Sequence, residues 1–229
     1  KAATEVPVCV GFGVSNASLD LVIVKEGGTG TRSWMGVTAS IGAMGVYGLP
    51  SDFAIEILDL ALRFNGKAAD GTKLDWKALS LLNGDPLGIG SSTLAEITRA
   101  TNISISGTLY LNVGGFVIAL ASFRIDQQSG VSFNDRNGIS LPLPTGNQTG
   151  ATVLLLRISE AYLFVGVGGT IDKTGYADAA AFEQDLEDAG AVGFFVSDAN
   201  LDLAIVSQDP ALGTQKWVGI SAMIGSLGV

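Results

Sequence analysis

Val10-Gly-Phe-Gly-Val-Ser-Asn-Ala-Ser-Leu-Asp-Leu-Val-Ile-Val24 returns as Val192-Gly-Phe-Phe-Val-Ser-Asp-Ala-Asn-Leu-Asp-Leu-Ala-Ile-Val206, with eleven of fifteen positions identical at an offset of 182. After one extra residue in the connection, Trp34-Met-Gly-Val-Thr-Ala-Ser-Ile-Gly-Ala-Met-Gly-Val46 returns as Trp217-Val-Gly-Ile-Ser-Ala-Met-Ile-Gly-Ser-Leu-Gly-Val229, with seven of thirteen identical. Chance does not give two matches in register, and a fixed period is the signature of repeat architecture. Residues 1–183 read as one full period, circularly cut, and residues 184–229 as the start of the next, equivalent to about 1–46. Val229 answers to Val46, inside an apolar run that the first copy continues as Tyr47-Gly-Leu-Pro50. The expectation is a window cut from a longer tandem array.

Around the repeat, alternation at period 2 dominates, punctuated by Gly, Asn and Asp, which is how strands and tight turns read. Leu19, Leu21 and Ile23 share one face; Asp20, Val22 and Val24 share the other, and both faces are expected to be covered except at Asp20. Residues 33–47, with Gly36, Gly42 and Gly45, suit a long, bulged or closely approached strand. Ile103, Ile105, Leu109, Leu111 and Val113 lead through Gly114-Gly115 to Val117, Ala119, Ala121, Phe123 and Ile125, the clearest hairpin. Further strands are predicted over 53–65, 151–158, 160–168, 191–197, 199–206 and 216–229, with a polar connection over 126–150. Asp178 to Ala189 reads as a helix with Phe182 and Leu186 inward and a stop at Gly190. A helical turn over 92–100 would point Leu94 and Ile97 inward. The fold class is all-β: an elongated tandem-repeat module of long, mainly antiparallel strands, stacked as in a sandwich or solenoid, with one short helix.

Composition bounds the function. The 229 residues hold 31 Gly, 47% apolar and 15% charged residues, one Cys, no His and a net charge of −9. That excludes imidazole chemistry, an intrachain disulfide and a basic field for nucleic acid. A mean hydropathy of +0.41 is high for a solitary domain, so much surface is expected to be covered by neighbours. No run approaches the roughly 20 apolar residues of a spanning helix. A membrane-barrel strand leaves too weak a signal to be excluded this way.

Every candidate site has a plainer competitor. Asp20 and Asp202 suit outward charges that block edge pairing better than calcium ligands. Asn134-Asp-Arg-Asn-Gly138 lacks the spaced carboxylates and final Glu of a calcium loop and reads as a turn. Glu183, Asp185, Glu187 and Asp188 form a solvated helix face. Gly166-Val-Gly168-Gly169 is an incomplete dinucleotide fingerprint and reads as a turn. Cys9, with no His to activate it, reads as a buried small hydrophobe. Asn16, Asn102 and Asn147 stand in Asn-x-Ser/Thr triplets, informative only after export. Trp34, Trp76 and Trp217 suit packing better than sugar stacking. No catalytic, cofactor-binding or metal site is assigned.

Gly66-Lys-Ala-Ala-Asp-Gly-Thr-Lys-Leu-Asp-Trp76, Ile105-Ser-Gly-Thr-Leu-Tyr-Leu-Asn-Val-Gly-Gly-Phe-Val117, Ile158-Ser-Glu-Ala-Tyr-Leu-Phe-Val-Gly-Val-Gly168 and Ala191-Val-Gly-Phe-Phe-Val-Ser-Asp-Ala-Asn-Leu203 resemble repeats of very large bacterial surface or secreted proteins. The resemblance rests on strand phrases and brings no catalytic motif. It implies an exported structural or adhesive protein, at the cell surface or outside the cell. The expected function is a non-catalytic repeat, not an enzyme, whose partners are further copies of itself in a rod, fibre or filament. The alternative is an adhesin module binding glycan or calcium through loops near 83–92 and 126–150. An enzyme of exopolymer processing is a third option and would need two facing carboxylates in a cleft.

Overall fold

The computed structural model describes residues 9–50, 52–80, 84–85, 88–90, 92–131, 150–209 and 214–229. Period-2 alternation forms strands throughout: β1 (Gly11–Lys25), β2 (Ser33–Tyr47), β3 (Phe53–Gly66), β4 (Thr101–Val113), β5 (Val117–Val131), β6 (Ala151–Val167), β7 (Val192–Ser207), β8 (Lys216–Met223) and β9 (Ser226–Gly228). They build one antiparallel sheet in chain order from β1 to β8, with β9 beside β7. The sheet is not closed into a barrel. Long, mainly antiparallel strands are thus as expected, while the stacking lies outside a single sheet.

Several corrections concern length, and one is that the strand expected over 216–229 is broken into β8 and β9. The segments expected as separate strands at 151–158 and 160–168 are one 17-residue strand, and 191–197 with 199–206 is one 16-residue strand. Each contains a single residue in the left-handed region, Glu160 (φ 51°) and Asp198 (φ 49°). The polar connection also starts later, because β5 runs on to Val131. The Asn134–Gly138 turn, Pro142, Pro144 and Asn147 lie outside the described residues.

The repeat-equivalent strands pair identically. Leu19, Asp20 and Leu21 face Ala39, Thr38 and Val37; Leu201, Asp202 and Leu203 face Ala222, Ser221 and Ile220. Gly13 faces Gly45 as Phe195 faces Gly228. The positive φ recurs as well, at Asn16 (53°) and at Asp198.

Two small layers cover one side of the sheet at opposite strand ends. The first includes helix α1 (Trp76–Ser80) and a 3₁₀ turn, Thr93–Glu96, capped by the Ser92 hydroxyl. There Trp76, Ile89, Leu94 and Ile97 bury with Trp34. Leu94 and Ile97 point inward as expected, whereas α1 has no sequence pattern long enough to announce it. The second layer is helix α2 (Ala179–Asp188). Asp178 caps it, Gly190 (φ 65°) follows its end, and Phe182 and Leu186 bury against Tyr110, Leu120, Tyr162 and Phe164. Phe182 meets Tyr162 and Tyr176 at ring-centroid distances of 5.1 Å.

Candidate functional site

The register lines up apolar residues across the whole sheet. Leu19, Ala39, Leu62, Ile105, Ile125, Leu156, Leu203 and Ile220 are successive partners from β1 to β8. Nearer the other end, Phe53, Val113, Val117, Val165 and Phe194 form a second such row. Both rows lie on one face, because β4 carries Ile105 and Val113, eight residues apart, without interruption.

The left-handed residues keep this face apolar. In β6, Leu154, Leu156 and Ile158 are in one phase of the alternation and Leu163, Val165 and Val167 in the other. One residue inserted at Glu160 resets the phase, so both sets emerge on the same side. Asn16, Asp59 (φ 50°) and Asp198 do the same in β1, β3 and β7. Asn and Asp tolerate this conformation better than other residues with a Cβ. Leu19, Leu21, Ile23, Ile55, Val165, Val192 and Ile220 are exposed on the resulting surface. Contiguous exposed apolar faces are, in general, where proteins or membranes make contact. Within the single chain β1 is covered on one face: Val22 and Val24 pack against the α1 layer, while Leu19, Leu21 and Ile23 stand open.

The opposite face is polar between its two covered ends. Ser18, Ser40, Ala61, Ser106, Arg124, Arg157, Asp202 and Ser221 form the adjoining row. Arg124 Nε donates to Asp126 Oδ2 at 2.5 Å. Burial works to raise the Asp126 carboxyl, but hydrogen bonds from Arg124 and Ser104 outweigh it and hold the group below the usual carboxylate range. Arg157 Nε donates to Asp202 Oδ1 at 2.8 Å. Asp202 therefore lies on an inner strand with a cation partner, and the edge-blocking role expected of it is overturned. Asp20 is on the edge strand.

A cleft of about 490 Å³ on this side brings together Asp59, Glu160, Ser122, Lys173 and Tyr176. Its two carboxylates are exposed. The Tyr176 hydroxyl donates to Asp185 at 2.9 Å, and burial pushes its pKa well above the ordinary phenol value. Among the other residues singled out, Glu183 and Asp185 are half-buried rather than fully solvated, and Cys9 is exposed, not buried. Asn16 and Asn102 lie within strands. Gly168 (φ 80°) turns the chain as expected. Trp76 is fully buried and donates to Asn65 Oδ1 at 2.9 Å; Trp34 donates to Thr72 Oγ1 at 3.2 Å. Among the described residues no group of three or more Cys, Asp or Glu could hold a metal ion, and no helix is long and apolar enough to cross a membrane. No protein-family model, curated protein or solved structure matches the chain.

Proposed function

We propose that this chain is a non-catalytic structural repeat of a giant exported bacterial protein, with a period of about 183 residues, whose copies associate into a rod, fibre or cell-surface filament. The observation that carries this reading is the apolar face running from Leu19 to Ile220 across eight strands. Burying such surface contributes roughly 25 cal/mol per Å², and further copies of the same sheet offer a matching surface. The resemblance to repeats of large bacterial surface proteins points the same way. Sedimentation velocity and negative-stain imaging test it: the expected result is concentration-dependent growth into elongated particles. A compact monomer at every concentration overturns it.

A second reading draws on the same alternation. Apolar residues on one face and Ser, Arg and Asp on the other, in an antiparallel meander, are also the pattern of a membrane-barrel wall. Partition into liposomes with protection of Leu19 and Ile220 from aqueous labels favours that reading, and labelling unchanged by lipid excludes it.

A further inference from the structure

The two copies of the repeat are chemically alike but differently covered. Trp34 is 9% exposed beneath the α1 layer, whereas its equivalent Trp217 is 37% exposed. At Gly36 an added Cβ would lie 2.8 Å from the Trp76 ring, so the glycine is what lets that ring approach; at the equivalent Gly219 nothing lies within 4 Å. Thr38 is buried and accepts a hydrogen bond from Thr93 Oγ1 at 2.7 Å, while Ser221 keeps the hydroxyl and is exposed. Three features that serve a covering layer in one copy are thus present in the other without it.

The opposite edge repeats the logic. Asp202 meets Arg157 of β6 at 2.8 Å, and Asp20 keeps the carboxylate without that strand beside it. Ser197 is fully buried near Glu183 of α2; its equivalent Ser15 is exposed. Among the described residues β1 pairs with β2 alone, and β8 with β7 alone.

We infer that successive repeats join edge to edge into one continuous sheet: the free edge of β8 receives the β3 strand and Trp76 layer of another copy, and the free edge of β1 receives the β6 strand and α2 of another copy. The molecule carries the template for both joints. From β2 and β3, Ile220, Ser221 and Ala222 take the partners Phe64, Arg63 and Leu62; from β6 and β7, Leu19, Asp20 and Leu21 take Ile158, Arg157 and Leu156. Backbone pairing satisfies the open edges, and side-chain phase fixes the register. This inference rests on the reading that copies of the repeat associate, and it specifies the edge joint; the apolar face, lengthened by that joint, is left for a second sheet to cover.

Register-resolved capture tests it. The full chain carrying Cys9→Ser and Ala222→Cys is mixed, in a buffer with oxidised glutathione as the electron acceptor, with a synthetic peptide of residues 53–66 whose single cysteine replaces Leu62, Leu60 or Phe64, and disulfide formation is timed. The expected result is capture at least about tenfold faster for the Leu62→Cys peptide than for either shifted one, with the same preference when the melting temperature shows the chain folded. Equal rates for the three peptides, or no capture by folded chain, overturn the edge joint. Sedimentation of the unlabelled chain separates the two proposals, since growth without register-specific capture rejects the joint while leaving association itself intact.

Discussion

At the scale of the residue, the left-handed positions decide whether the sheet has one apolar face. A residue with a Cβ at φ near +50° costs roughly 1–2 kcal/mol, and Glu160 lacks the short side chain that lets Asn or Asp offset it. Glu160→Val, β-branched, is therefore expected to lose about 1–2 kcal/mol relative to Glu160→Gly in urea denaturation. The alternation phase of 151–158 and 163–167 is legible in the sequence, and so is the break between them. What cannot be read is whether the break is a turn or an inserted residue, because a polar residue between two apolar runs marks either. Lys73 supplies a pH effect of determinate sign. Burial, reinforced by Lys67, lowers its pKa from 10.5 to about 8, although its ammonium donates to Thr101 O and Ser129 Oγ, both at 3.0 Å. Between those values the unfolded chain binds more protons than the folded one, so stability rises with pH above about 8. Above pH 10.0 the unfolded Tyr176 phenol ionises while burial keeps the folded one protonated, which reverses the trend. Denaturation midpoints across this range check the sign, and Lys73→Met is expected to flatten the rise.

At the scale of the element, stability concentrates where a short layer meets the sheet. Phe182 is fully buried against Tyr162 and Tyr176, so Phe182→Ala is expected to cost about 3–5 kcal/mol. The helix was readable from Phe182, Leu186 and Gly190; its burial partners were not, since Tyr110 and Leu120 come from a hairpin some sixty residues earlier. The two repeat tryptophans give a sharper comparison. Trp34→Ala removes a ring buried in the cluster that also holds Trp76 and is expected to fall in the same 3–5 kcal/mol range, whereas Trp217→Ala in the same chain loses far less. Parallel melts of the two variants measure the difference. Identical sequence phrases have unequal worth here because half of each environment comes from strands outside the phrase, which is also why the repeat disclosed equivalent strands but not unequal burial.

At the scale of the whole molecule, the topology sets how length grows with repeat number. Among the described residues one period contributes six strands, β1 to β6, before β7 restates β1. Neighbouring strands lie about 4.8 Å apart, so a continuous sheet advances about 29 Å per repeat along its strand-stacking direction. A string of separately closed 183-residue beads behaves differently: each has a radius of gyration of about 16 Å and is about 40 Å across. Small-angle scattering from chains of one, two and three periods distinguishes these increments. The edge-joined sheet is expected to lengthen by close to the smaller value, with twist shortening it further. Growth by about 40 Å per period would mean that each repeat closes on itself, and that the open edges at β1 and β8 are filled from within one period.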